Sequence, residues 1–198
     1  GDSLCDQIYI MNIETGSTNM VSTGEGVTTC SYFVYPDCQK AIYASTHLGN
    51  KKCPEKPDYS MGYVWKLYPD YDIFLTDLQT KSLEQLTSSP GYDAEATVAF
   101  NGSKVVYTSM VSGDLDIWTM DLDGKNKVQL TDELGYDGGA FFNNDATKIV
   151  WRVYHPKTAE EIQQYKNLLA QNSIRPMALQ IWTMNSDGTN KKQITNNG

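Results

Sequence analysis

This chain has no apolar run long enough to span a bilayer as a helix, so a helical membrane anchor is not expected within it. Basic residues are scarce. Sixteen Lys and Arg stand against 24 Asp and Glu, for a formal charge of −8. Nucleic acid is therefore disfavoured as a partner, because phosphate binding wants a basic surface. The only histidines are His47 and His155, and the repeat described below separates them by two blades, which argues against a simple metal pair. No Gly-x-Ser-x-Gly elbow occurs, and Ser45-Thr46-His47 alone does not make a triad. Nucleophilic catalysis by this chain alone is not expected. Four cysteines (Cys5, Cys30, Cys38 and Cys53) all fall within the first third of the chain, without the close paired spacing of a zinc site. No signal peptide is visible, as in an exported chain after processing.

What the chain does have is a phrase said four times. Gln7-Ile8-Tyr9-Ile10-Met11-Asn12 returns as Asp72-Ile73-Phe74-Leu75-Thr76-Asp77, as Asp116-Ile117-Trp118-Thr119-Met120-Asp121 and as Gln180-Ile181-Trp182-Thr183-Met184-Asn185. It alternates in the period of a strand and is rich in aromatic and β-branched residues. A polar turn follows each copy, Asp123-Gly124 and Asp187-Gly188 among them, and then a short closing strand such as Val128-Gln129-Leu130-Thr131. Three copies carry a further hairpin upstream. The resulting unit is four antiparallel strands, the blade of a β-propeller; an ordinary β-sandwich is the plainer alternative.

The phrase starts at 7, 72, 116 and 180, so the steps are 65, 44 and 64 residues. The middle step is a normal propeller period. The other two hold insertions of about twenty residues, each between the second and third strands of a blade. The expected fold is all-β: a half blade at 7–23, a blade at 28–87 with a long loop 48–70, a blade at 93–131, and a blade at 138–197 with a helical insertion at 156–176. That is about three and a half blades of a single propeller, an open arc with unpaired edges that invite association. The expectation is a fragment, or a subunit completed by other chains.

Ile117-Trp118-Thr119-Met120-Asp121-Leu122-Asp123-Gly124, the following Gln-Leu-Thr, and the blade-opening segments Gly91-Tyr92-Asp93-Ala94-Glu95-Ala96 and Gly135-Tyr136-Asp137-Gly138-Gly139-Ala140 resemble the TolB-type β-propeller repeat proteins. The family's Pro-Asp-Gly turn survives only as Pro36-Asp37, with Cys38 in place of the glycine. The resemblance covers nearly the whole chain. It implies the fold, and a periplasmic or extracellular setting. For function it implies a protein-binding disc, a gating domain beside a hydrolase or peptidase, or a lyase.

The loops that open blades face the channel mouth. Glu25, Asp93 and Asp137 are expected around one rim, with Glu95 just inside and Thr29, His47 and Arg152 lining the same opening. Converging carboxylates suit a hard cation such as calcium or a peptide amine, and no other cofactor is expected. The plainer reading is that each Asp caps its own turn. Arg152 suits a rim carboxylate or the acid group of a ligand. The first insertion carries Tyr59, Tyr63, Trp65 and Tyr68, which suits stacking on sugar or peptide, or binding a partner. In the second, Thr158 and Glu161 form a capping box before an apolar stripe at Ile162, Tyr165, Leu168 and Leu169. That helix covers its own blade or a neighbour. Cys5 and Cys53 precede third strands in equivalent loops of adjacent blades, which makes Cys5–Cys53 the easiest bridge; four free thiols are the alternative.

The leading functional expectation is a non-catalytic, secreted or periplasmic scaffold that binds protein, peptide or glycan through its loop-bearing face. The competing readings are the propeller portion of an enzyme and a structural subunit of an extracellular assembly.

Overall fold

The computed structural model describes residues 5–55, 57–60 and 62–196. Positions 56 and 61 of the long loop, and 197 at the expected end of the last blade, lie outside the described residues.

Among the described residues, sixteen strands and one helix follow in chain order. A two-stranded hairpin, β1 (Tyr9–Met11) and β2 (Thr18–Met20), comes first. Three antiparallel four-stranded sheets follow. They are β3 (Thr28–Val34), β4 (Lys40–Ser45), β6 (Asp72–Asp77) and β7 (Leu83–Gln85); then β8 (Asp93–Val98), β9 (Lys104–Ser109), β10 (Asp116–Asp121) and β11 (Val128–Gln129); then β12 (Tyr136–Phe142), β13 (Lys148–Tyr154), β15 (Gln180–Asn185) and β16 (Lys192–Gln193). Within each sheet the strands pair in chain order, and the inner strand β8 lies against both β3 and β12. The architecture is all-β and propeller-like, as the repeat predicts.

Apolar residues between successive blades make the core. Ile42, Ile73 and Leu75 of one blade pack on Val105, Tyr107 and Met120 of the next. Val106, Ile117 and Leu130 pack on Ile149, Trp151 and Met184 of the last. The hairpin supplies Val21, Ile8 and Ile10 against Tyr43 and Phe74. The outward face of the last blade is left uncovered. Ile194 is 56% exposed, whereas Leu86 and Leu130 at the equivalent positions are 4% and 7% exposed. Val150 on the same face is also exposed, while its counterparts Ile42 and Val106 are fully buried. Such a face, apolar and unpaired, is a site of association.

The insertions meet each other. β5 (Trp65–Lys66), from the first, pairs antiparallel with β14 (Ser173–Ile174), from the second. The helix α1 (Ala159–Leu169) has the predicted capping box, with Thr158 as its cap and Glu161 reaching back. Tyr165 is its buried residue. The Tyr165 hydroxyl donates to Asp114 Oδ1 at 2.5 Å and to the Gly135 carbonyl at 2.6 Å. The helix therefore covers the seam between the last two blades. A fourth apolar cluster, with Leu67, Tyr71, Tyr92, Leu115, Tyr136 and Ile174, joins the insertions to the blade openings.

Cys5 and Cys53 are joined in a disulfide across 48 residues, while Cys30 and Cys38 are free thiols. Closing a loop of that length constrains the unfolded chain. Reduction, or a Cys5→Ser/Cys53→Ser pair, is expected to cost about 2–4 kcal/mol. Thermal unfolding with and without reductant checks it, and an unchanged midpoint contradicts it.

Candidate functional site

The site begins with a backbone irregularity repeated in three blades. The inner-to-second-strand ladder slips between Thr29 and Tyr32, between Ala94 and Thr97, and between Gly138 and Phe141. In each slip one residue takes a left-handed conformation: Cys30 (φ +53°), Glu95 (φ +55°) and Gly139 (φ +59°). Bulges of this kind re-aim side chains and cluster beside functional sites. For Cys30 and Glu95 the conformation is strained, and strain of this sort persists where the surroundings enforce it. All three residues line one 550 Å³ cavity in the channel.

Glu95 is held by four partners. Its carboxylate accepts from the Tyr136 hydroxyl at 2.9 Å, the Thr108 hydroxyl at 2.9 Å, the Gly139 amide at 2.8 Å and Arg152 Nη2 at 3.1 Å. Arg152 Nη2 also donates to the Tyr136 hydroxyl at 3.0 Å. The Arg152 guanidinium lies 5.4 Å from the Trp65 ring and 5.8 Å from the Tyr136 ring, within cation–π reach of both. Its side chain remains 36% exposed. Burial, and then the neighbouring Glu95 charge, push the Tyr136 phenol far above its usual range, so it stays a donor. A Cβ at Gly139 would run into the guanidinium, so any side chain there would displace Arg152.

A second cavity of about 720 Å³ opens on the other side of the Glu95–Arg152 pair. Trp65, Tyr63, Tyr59, Tyr68, Tyr92 and Lys66 are among its walls, together with Thr29 and Cys30. This is the size of a small-ligand site. Tyr59 and Tyr63 stack at 5.9 Å, and both are at least half exposed. Trp65 Nε1 donates to the Tyr63 hydroxyl at 3.1 Å, and the Tyr68 hydroxyl donates to the Glu55 carbonyl at 3.0 Å. Crowding by neighbours raises the Cys30 thiol even though Cys30 is solvent-accessible, so it stands as the neutral thiol.

The structure thus brings Glu95, Arg152, Thr29 and the four insertion aromatics to one mouth. The other rim candidates are elsewhere. Glu25 is exposed and pairs with Lys51 at 3.1 Å. His47 is buried against Phe74, with Nδ1 2.9 Å from Ser45 Oγ, and burial lowers its pKa. Asp93 and Asp137 are strand residues, buried between blades, because the bulge lets each inner strand start earlier than the alternation suggests. Asp137 accepts from Trp151 Nε1 at 2.6 Å and contacts His155 Nε2 at 3.0 Å; His155 Nδ1 lies 2.9 Å from Glu133. Burial opposes charge on His155, but the two carboxylates outweigh it and the pKa is raised. Both Asp93 oxygens are buried without a well-formed hydrogen bond. Burial pushes Asp93 up to about 6, with the hydroxyls of Ser109, Thr87 and Ser89 near enough to pull the other way. Among the described residues, no group of three or more His, Cys, Asp or Glu is placed to hold a metal ion. Glu25, Asp93 and Asp137, the acids expected around one rim, are not among the residues lining the mouth cavity.

Tyr136, Tyr92 and Cys30 belong to the site but were not singled out from sequence. The recurrence of Gly-Tyr-Asp at 91–93 and 135–137 was the available signal for the tyrosines.

No family model matches the sequence, and no curated protein does. Solved structures do. TolB from Acinetobacter baumannii is 16% identical with a TM-score of 0.63, over 96% of this chain and 37% of that one. A putative TolB from Agrobacterium tumefaciens is 17% identical with a TM-score of 0.55, over 94% of this chain and 73% of that one. A chain in a nidogen/laminin complex is 11% identical with a TM-score of 0.61, over 96% of this chain and 58% of that one. The chain thus spans little more than a third of the Acinetobacter protein. Among the described residues, no helix is long and apolar enough to cross a membrane. At these identities the likeness speaks for architecture alone, and the architecture is that of a TolB-like β-propeller.

Proposed function

We propose that this chain is a non-catalytic propeller segment that binds a protein segment, peptide or glycan at its loop-bearing mouth. The observation that carries the reading is the mouth cavity, where insertion aromatics surround a part-exposed arginine. Tyr and Trp give large rigid contact area at low entropic cost, and their faces suit sugar rings and peptide side chains alike. The Cys5–Cys53 bridge fits a periplasmic or extracellular compartment. The uncovered face of the last blade fits a neighbour there, either further blades or another subunit. The appearance of a similar fold in a nidogen/laminin complex agrees with a protein-binding role. The Ser45–His47 contact is buried and lines neither cavity of the site, so the proposed binding role does not draw on it.

An array of peptides and oligosaccharides, probed with the wild type and with Tyr59→Ala/Tyr63→Ala, tests this. Both tyrosines are at least half exposed, so the fold is expected to tolerate the change. Ligands of the wild type are expected to bind the variant about tenfold more weakly or worse. Equal binding by the variant, or no ligand at all, contradicts the proposal.

A further inference from the structure

The following rests on the reading that the mouth binds a ligand. We propose that the ligand is the free C-terminal end of a peptide, with its carboxylate on Arg152 and its last side chain in the channel cavity beneath.

The first argument is that Arg152 has charge to spare. Glu95 already accepts from Tyr136, Thr108 and the Gly139 amide, so its place in the site does not rest on the arginine alone. Arg152 reaches both Glu95 and Tyr136 through one nitrogen, Nη2. A guanidinium offers a fork of donors, and its preferred partner is a carboxylate taken by two parallel bonds. The pair with Glu95 is one-sided. The two rings beside Arg152 fix its plane without consuming its donors.

The second argument is the arrangement of the cavities. Arg152, Glu95 and Cys30 line both, so the arginine stands where the mouth narrows into the channel. Below it the walls are largely apolar, with Tyr32, Ala96, Phe141 and Ile181, and with Val150 where the cavity borders the uncovered face of the last blade. Above it run Trp65, Tyr63 and Tyr59. A chain descending along these aromatics and ending at Arg152 places its terminal side chain in the lower cavity. Capture of a terminal carboxylate beside a side-chain pocket is a known mode of peptide recognition.

The third argument separates a peptide end from an acidic polysaccharide, which also carries carboxylates. The mouth holds two acids, Asp6 and Glu95, against two bases, Lys66 and Arg152. The chain as a whole carries −8. A ligand with one carboxylate finds its partner here, whereas a polymer with a charge on every ring meets repulsion beyond the first.

The experiment is calorimetric titration of the wild type with acetyl-Ala-Ala-Leu and acetyl-Ala-Ala-Phe, each as free acid and as C-terminal amide, and with a glucuronate-ended disaccharide. The free acids are expected to bind about tenfold or more tightly than their amides. Arg152→Gln is expected to erase that difference. Arg152→Lys retains the charge without the fork, is the safer variant for folding, and is expected to keep only part of it. Tyr63→Ala is expected to weaken acid and amide alike. Equal affinity for acid and amide in the wild type overturns the terminal-carboxylate inference while leaving peptide binding at the mouth intact. An Arg152-dependent preference for the uronate over all peptides overturns it in favour of a sugar acid. Binding of no peptide in either form, with none found on the array, removes the inference and the underlying reading together.

Discussion

Asp93→Asn is expected to raise stability at pH 7 by roughly 2–3 kcal/mol, or about 5–10 °C in the unfolding midpoint. Most buried-site changes go the other way. Asp93 is 1% exposed, and both its carboxylate oxygens lack a well-formed hydrogen bond. Burial pushes its pKa up to about 6, well above the unfolded range. The sign follows from proton linkage. The folded chain holds this proton more tightly than the unfolded chain, so proton uptake at Asp93 contributes stability that is full below about pH 4 and is lost as pH rises through about 6. Asparagine is a permanent copy of the protonated form. The wild type should therefore lag the variant at pH 7 and close the gap as the pH falls toward 4. Asp116, also pushed up to about 6 by burial, and His155, raised by its flanking carboxylates, favour acid in both proteins and cancel in the comparison. Thermal unfolding of both chains from pH 4 to 8 checks this. A gap that does not change with pH would mean that Asp93 does not titrate between the folded and unfolded states as described.

Tyr165→Ala is expected to cost about 3–5 kcal/mol of local or global stability and to open the mouth. The side chain is 4% exposed, and its hydroxyl holds Asp114 and the Gly135 carbonyl. Removing it leaves a cavity and takes a donor from the half-buried Asp114 carboxylate. The helix leads directly into β14, which pairs with β5, and β5 carries Trp65 beside Arg152. The amide of Leu67, which bonds the Asn172 carbonyl at 2.8 Å, is the reporter. Its hydrogen exchange should rise steeply in the alanine variant, with the strand amides of β9 and β10 far less affected. Tyr165→Phe keeps the packing and should cost only about 1–3 kcal/mol. Equal exchange at Leu67 in the wild type and the alanine variant would mean that the helix does not support the mouth.

The fold was legible because the repeat is strong. Four copies of one strand phrase, with Asp-Gly turns after two of them, already specify blades. The helix cap was legible too, since Thr158 and Glu161 sit at the spacing a capping box needs. The mouth was half legible. Tyr59, Tyr63 and Trp65 stood out by type, but their convergence on Arg152 depends on β5 pairing with β14, two residues each and more than a hundred positions apart. Nothing periodic announces such short strands. The bulges were hidden for a different reason. Cys30, Glu95 and Gly139 share a conformation but no side-chain chemistry, so no pattern marks them. Without the bulges Asp93 and Asp137 read as loop residues, whereas each lies buried in the inner strand of its blade.

The most direct test of the central claim, that the mouth is the binding site, is a hydrogen-exchange footprint of the tightest array ligand on the intact chain. The account predicts protection over Trp65–Leu67, the Glu95 bulge and Tyr136–Gly139, with the turns at Asn101–Gly102 and Asn143–Asp145 unchanged. Protection at those turns, with the mouth exchanging as in the free chain, would contradict it.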